Sequence, residues 1–272
     1  MKLEGKVAIV TGTSPNIGGG IAEGLAAAGA AVVCVDSKAE NANDCAKSIV
    51  GSGGRALGVT CDVTDDAQVA AAVAQGREAF GGIDVLVNSA AFFNRKGVLD
   101  MPLDEWQKQL AVILGGAFLF TKHVAQSMIE QRRKGSIINI ISTAGHQGEP
   151  GNIAYCTGKS GLLNFTRSAA MELISHGIRV NSLTPTATDP SESLARAARW
   201  GRKTPDPARL QAAFEPFRSR VAMQKLPGPS DYGQAAMFLA SDDAAMITGI
   251  DLRVDAGAIA QYWAWDPARK QG

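Results

Sequence analysis

Tyr155 and Lys159 stand four residues apart in the segment Tyr155-Cys156-Thr157-Gly158-Lys159, within a stretch that reads as a helix from Tyr155 to His176. Residues at i and i+4 of a helix lie one above the other, so the phenol and the amine share a face. A phenol titrates near 10 in a model peptide, too high for an efficient base at neutral pH. A nearby positive charge favours the phenolate, and each pKa unit removed is worth about 1.4 kcal/mol. The pair can therefore exchange a proton with an oxygen. Taken alone, it more often marks a half-buried core tyrosine beside a solvated helical lysine. Cys156 adjoins Tyr155 but points elsewhere and reads as a small packing residue.

A second constellation lies near the start of the chain. Thr11-Gly12-Thr13-Ser14-Pro15-Asn16-Ile17-Gly18-Gly19-Gly20 follows a strand-like run and opens a helix. Glycines there let the backbone turn tightly and let a pyrophosphate approach the helix N-terminus, where free N–H groups favour anions. The expected cradle is Gly12, Ser14, Asn16, Ile17 and Gly18. Its spacing is Gly-xxx-Asn-x-Gly rather than GxGxxG, and asparagine is the residue after glycine that best tolerates a left-handed backbone. Asp36 ends the next strand at the distance where a carboxylate takes the ribose hydroxyls of NAD. A 2′-phosphate would meet charge repulsion there, and Gly19 offers no compensating arginine, though Lys38 is near. NAD is the cofactor these charges favour. A solvated turn residue is the plainer reading of Asp36.

These residues need a scaffold, and the chain alternates to supply one. Strand-like runs at Val7–Thr11, Ala31–Val35, Leu57–Cys61, Ile83–Val87, Ile137–Ile141, Arg179–Leu183 and Gly249–Val254 are separated by Ala-rich helical stretches. The helices expected are Ile17–Ala28, Glu40–Val50, Asp65–Phe80, Leu103–Gln131 and Tyr155–His176. Gly29 should cap the first of them. The alternation predicts an α/β fold: a single Rossmann-type doubly wound domain over 1–272, dinucleotide-binding and catalytic, with a seven-stranded parallel sheet flanked by helices on both faces. A segment at about 186–229, rich in Pro, Arg and Ala, breaks the rhythm after the sixth strand. It reads as a substrate lid or as a surface insertion. Arg196, Arg199, Arg202 and Lys203 within it suit either an anionic substrate group or a solvated basic face. The C-terminal tail 260–272 carries Tyr262-Trp263-Ala264-Trp265, a cluster suited to packing on the lid or on a neighbouring subunit.

The whole-chain balance narrows the class. The chain has 272 residues, is 46% hydrophobic and 19% charged, and carries a formal net charge of +1, which gives no general attraction to nucleic acid or anionic membrane. Gly or polar residues interrupt each apolar run, so no bilayer span is expected. The four cysteines form no CxxC pair and have no histidine at ligand spacing, so no metal site is expected and reduced thiols in a cytoplasmic protein are. The start of the chain reads as neither a secretory signal nor a transit peptide.

Taken in order, the pieces resemble the short-chain dehydrogenase/reductase family over nearly the whole chain. They are Thr11-Gly12-xxx-Asn16-Ile17-Gly18, Cys61-Asp62-Val63, Asn88-Ser89-Ala90-Ala91, Ser142, Tyr155-xxx-Lys159, Ile178 to Pro185, Ile247-Thr248-Gly249 and Val254-Asp255-Ala256-Gly257. The resemblance implies that Asp62 and Val63 border the adenine and that Asn88 to Ala90 line the dinucleotide path. It implies that Ser142 holds the substrate oxygen beside Tyr155, and that Lys159 holds the nicotinamide ribose. It also implies a homo-oligomer, a tetramer in preference to a dimer, built partly through the two long helices. Pro185 and Thr188 would stand near the carboxamide, with Pro190 where a Thr is usual. The family's further catalytic Asn aligns with Ile113, whose side chain makes no hydrogen bond, so the usual proton route past Lys159 is missing. By position, Phe92, Phe93, His146, Gln147 and Asn152 should face the substrate, although Phe92 and Phe93 equally suit the core and His146 a structural hydrogen bond. The reaction expected is interconversion of a secondary alcohol and a ketone with NAD, on a ring, steroid-like or aromatic substrate. A 3-oxoacyl-thioester reductase and an NAD-binding scaffold with weakened turnover are the rivals.

Overall fold

The computed structural model describes residues 1–262 and 264–266. Its strands are β1 (Val7–Thr11), β2 (Ala31–Asp36), β3 (Arg55–Thr60), β4 (Val85–Asn88), β5 (Gly135–Ile140), β6 (Ile178–Pro185) and β7 (Asp251–Val254). They form one seven-stranded sheet in the order β3-β2-β1-β4-β5-β6-β7, with every pairing parallel. The order reverses between β1 and β4, where a doubly wound sheet opens a crevice at its carboxyl edge. β1, β2 and β4 are buried along their whole length, which is why they read as continuous apolar runs rather than alternating ones.

Helices cover both faces. α1 (Ile17–Ala27), α2 (Ala39–Gly51) and α9 (Pro229–Ala240) enclose one core, built on Ala8, Val10, Val32, Leu25 and Leu239. α3 (Asp66–Phe80), α5 (Gly116–Glu130) and α6 (Ile153–Leu173) enclose the other, built on Ile9, Val33, Phe120, Val124 and Met128. α9 is absent from the sequence reading. Pro229 occupies its first turn, where a missing N–H costs nothing, and Asp231 bonds back to the Gly228 N–H at 2.8 Å. β3 begins two residues before the expected strand, and Gly29 caps α1 with φ of +103° as expected.

The stretch expected as one helix from Leu103 is α4 (Leu103–Leu110), a π-helical turn at Ala111–Gly115, and α5. Contrary to the expectation of interrupted apolar runs, Leu103–Glu130 is long and apolar enough to cross a membrane by length and composition. Half of its apolar window is buried inside this protein, against the sheet and α3. The insertion after β6 is also helical, as α7 (Pro190–Arg199) and α8 (Pro207–Arg218), each started by an Asp cap and a first-turn proline. In the aromatic tail, Trp263 and residues 267–272 lie outside the described residues, and Tyr262 is 65% exposed.

Candidate active site

The parallel sheet delivers Thr11, Asp36, Asn88 and Pro185 to one edge, each at the last position of its strand. At that edge Gly12 turns with φ of +73°, and a Cβ on it would lie 2.9 Å from Ala90 Cα. A Cβ on Gly18 would come within 2.0 Å of the Gly12 carbonyl oxygen. Only glycine fits at both positions, and the turn so formed lies against the start of α1, whose N-terminal N–H groups favour anions. Gly18→Ala is therefore expected to weaken dinucleotide binding at least tenfold while the rest of the fold persists, as read by titrating protein fluorescence with the dinucleotide. An unchanged affinity would contradict this assignment.

Thr11, which the sequence reading did not single out, ties the edge together. Its Oγ1 accepts from the Ser89 and Ala90 N–H groups at 3.0 and 3.1 Å. Asn16 differs from expectation: its φ is −92°, so no left-handed backbone is needed there, and its Oδ1 accepts from Ser193 Oγ of α7 at 3.0 Å. Asp36 is buried and accepts from the Lys38 N–H at 2.9 Å, which leaves its second oxygen without a hydrogen bond among the described residues. The Asp62 carboxylate accepts from Thr64 N and Oγ1, at 2.9 and 2.8 Å, and forms an exposed turn. Val63 is buried against Gly116. Asn88 faces inward: its Nδ2 donates to Asn139 Oδ1 at 2.9 Å and Thr121 Oγ1 at 3.2 Å, and Asn139 in turn donates to Thr166. That network pins β4 and β5 to α5 and α6. Thr188 Oγ1 lies 3.4 Å from both the Thr186 carbonyl and the Tyr232 hydroxyl.

β5 and α6 bring the proton-handling groups together. Ser142 lies two residues after β5, and Tyr155 and Lys159 are on the first two turns of α6. Ser142 acts on the Tyr155 hydroxyl, and its own Oγ accepts from the Ala144 N–H at 3.2 Å. Lys159 is fully buried, with Nζ 5.7 Å from the centre of the Tyr155 ring, and donates to the Ile140 carbonyl at 2.6 Å. Burial brings the Lys159 amine down to about 7. Burial also pushes the Tyr155 phenol up, against the opposing bond from Ser142, and the charges of Glu149 and Cys156 add to the rise. Desolvation thus works against the help that a neighbouring positive charge gives the phenolate. Desolvation leaves Lys159 only partly charged at neutral pH, and the phenolate suffers the same loss of water.

The surroundings sort the remaining candidates. Phe93 places its ring 5.4 Å from that of Tyr155, with 55% of the residue exposed. Phe92 instead lies under the Lys108 amine. Asn152 is buried at the start of α6, and Gln147 is exposed along a groove of about 550 Å³ shared with Cys156, Thr157, Ser160 and Gly161, on a different face of α6 from Tyr155. His146 is structural, held 3.1 Å from Thr184 Oγ1 and 3.2 Å from Asp251. Ile113 sits in the π-helical turn, 1% exposed, packed on Gly158. The basic residues of the insertion turn to the protein itself. Arg196 bonds Glu23 and the Pro15 carbonyl, each at 2.9 Å, Arg199 pairs with Glu23, and Arg202 bonds Asn41 and Asp44. Their carboxylate partners on α1 and α2 were legible only as polar helix faces. Among the described residues, no group of three or more His, Cys, Asp or Glu is placed to hold a metal ion.

A family model described as enoyl-(acyl carrier protein) reductase matches residues 12–258. The chain is 36% identical over 256 residues to D-threitol dehydrogenase of Mycolicibacterium smegmatis, with 94% of each chain covered. It is 35% identical over 260 residues to galactitol 2-dehydrogenase of Agrobacterium fabrum, covering 94% of this chain and 98% of that one. A crystal structure of a short-chain type dehydrogenase/reductase from Mycobacterium marinum superposes with a TM-score of 0.83 at 31% identity, over 96% of this chain and 97% of that one.

Proposed function

Because this chain belongs to the short-chain dehydrogenase/reductase family, we propose that it interconverts a secondary alcohol and a ketone with NAD, on a polyol or a hydroxylated ring. The observation that carries the reading is the convergence of the Ser142–Tyr155 hydroxyl pair and the buried Lys159 amine at the edge that also holds the glycine turn. The relatives named for sugar alcohols support the substrate class.

Gly12, Ser14, Asn16, Ile17 and Gly18 would hold the pyrophosphate, Asp36 the adenosine ribose, and Asp62, Val63 and Ala90 the path around them. Asn88 would contribute there through its backbone, since its side-chain amide is engaged elsewhere. Lys159 would hold the second ribose, with Pro185 and Thr188 at the carboxamide. The bound dinucleotide supplies the acceptor or donor of hydride. Ser142 orients the substrate oxygen, and Tyr155 takes its proton on oxidation or gives one on reduction. Phe93 and Asn152 would shape the substrate side, while Gln147 lines the neighbouring groove, and the exposed ring of Phe93 suits an apolar edge of the substrate.

NAD is preferred over NADP because a 2′-phosphate would lie against the Asp36 carboxylate, and like charges brought together cost several kcal/mol. Wild-type kcat/KM is expected to favour NAD, and Asp36→Ala to shrink the preference by on the order of tenfold or more. Equal use of both cofactors by the wild type would refute it. The screen for the reaction itself is NADH formation from threitol, galactitol and cyclic secondary alcohols, and a wild type inert to all of them would favour the scaffold reading. The acyl-thioester reading has the family model's description in its favour but loses Arg196, Arg199 and Arg202, which are paired with Glu23 and Asp44. We also take the protein to be a cytoplasmic homo-oligomer, tetrameric in preference to dimeric. Exposed Phe118 on α5 and Met171 on α6 support it, and light scattering on the purified chain tests it.

A further inference from the structure

Ser142 opens a short 3-10 turn, Thr143–Gly145, that follows β5. The Ser142 Oγ accepts from the Ala144 N–H at 3.2 Å, and its carbonyl accepts from the Gly145 N–H at 2.8 Å. The Thr143 carbonyl accepts from the N–H groups of His146 and Gln147, at 3.0 and 3.2 Å. These bonds make Ser142 and His146 the two ends of one small unit, so what holds the imidazole also holds the hydroxyl. Gly145 presses the inner side of the unit onto α6, where a Cβ would come within 3.0 Å of the Lys159 carbonyl oxygen. Ala144, Gly145 and Gln147 border the open groove of about 550 Å³, so packing does not hold the outer side.

The His146 ring supplies the hold that packing does not. Its Nε2 lies 3.1 Å from Thr184 Oγ1 and 3.2 Å from Asp251 Oδ2. The Thr184 hydroxyl gives its one proton to the Asp251 carboxylate, whose oxygens are 2.9 and 3.0 Å away, so only lone pairs of Thr184 face the imidazole. Nε2 therefore carries a hydrogen and donates. Asp251 also accepts from Ser182 Oγ at 2.7 Å, and Arg253 Nε lies 3.7 Å from it. Asp251 opens β7, and Thr184 directly precedes Pro185 at the end of β6. One buried carboxylate thus ties the Ser142 turn to the ends of two strands.

We propose that His146 is a positioning residue for Ser142, fixing through Thr184 and Asp251 the turn that aims the Ser142 hydroxyl at the substrate oxygen. The inference rests on the reading of Ser142 as the group that orients that oxygen. The imidazole is spent on Thr184 and Asp251, so it contributes geometry rather than a proton. A donor slightly out of place loses much of its use at a developing charge.

His146→Leu fills a similar volume without a donor and is expected to lower kcat for alcohol oxidation about tenfold. His146→Gln, whose amide N–H reaches where Nε2 does, should recover most of that loss. Should leucine unfold the protein, His146→Asn, whose amide stops short of both acceptors, takes its place. A role in folding alone would cost the same whether or not Ser142 is present. In a Ser142→Ala background the His146→Leu change should instead cost less than about twofold, because the hydroxyl it aims is gone. Independently of turnover, backbone hydrogen exchange over 143–147 should speed up about tenfold or more in His146→Leu and stay near the wild-type rate in His146→Gln. Absence of wild-type turnover would sink the dehydrogenase reading, and the exchange rates would still judge the tether. With turnover intact, full activity of His146→Leu, an equal loss in both backgrounds or no recovery with glutamine would overturn the proposal. Unchanged exchange in His146→Leu would overturn it in either case.

Discussion

Tyr155→Phe is expected to abolish alcohol oxidation while sparing both the fold and dinucleotide binding. The ring contributes packing against Phe93 and the Ile113 cluster, and phenylalanine retains all of it. A hydrogen bond made by the hydroxyl contributes at most about 0.5–1.5 kcal/mol to the fold. The hydroxyl's chemical contribution is far larger, because no other group beside Ser142 can take the alcohol proton, and losing a positioned acid–base group lowers kcat by roughly 10² to 10⁴. Burial raises the phenol above its ordinary value, so the phenolate fraction, and with it the oxidation rate, should climb with pH in the wild type. That climb should vanish in the variant. Steady-state NADH formation across pH, together with dinucleotide titration, separates the two effects. Turnover within tenfold of the wild type would remove Tyr155 from the chemistry.

What the residues revealed in advance follows from how locally each feature is determined. The buried strands announce themselves as β-branched runs, and Gly12, Gly18, Asp36, Tyr155 and Lys159 fall where short-range geometry puts them. A strand end, a tight turn and an i, i+4 spacing need no knowledge of the rest of the chain. α9 escaped because its cap is carried by a glycine backbone and Asp231, amid prolines that read as loop. The arginines of the insertion read as solvated or ligand-facing because Glu23 and Asp44, which neutralise them, lie more than 150 residues earlier. Asn16 was assigned a left-handed turn residue's role, whereas its side chain fastens α7 to the phosphate turn. The π-helical turn at Ile113 leaves no mark in apolar spacing, since one inserted residue shifts the pattern less than sequence periodicity resolves.

Lys159→Met should make the dinucleotide-free protein more stable at pH 7 and inactive. The amine is fully buried, and burial brings it from 10.5 to about 7. An unfolded chain therefore binds this proton below pH 10.5, whereas the folded chain does so only below about 7. Between those values the unfolded state holds more protons, so stability rises with pH there, and falls as pH drops from 10.5 towards 7. At pH 7 the accumulated cost is on the order of 3–5 kcal/mol. Methionine fills the same volume without charge, and against that gain stands the Ile140 carbonyl, left without its donor at about 1–3 kcal/mol. The net gain of roughly 1–3 kcal/mol corresponds to a Tm several degrees higher, at about 2–4 °C per kcal/mol for a domain somewhat smaller than this one. The sign of the difference carries the test. Above pH 10.5 the wild-type lysine is mostly neutral in both states, the lost hydrogen bond dominates, and the variant should become the less stable of the two. Thermal melts of both proteins from pH 7 to 10.5 should therefore cross. Parallel curves would mean that Lys159 keeps its charge in the folded protein, and that its position behind Tyr155 carries no stored electrostatic cost for the bound dinucleotide to relieve.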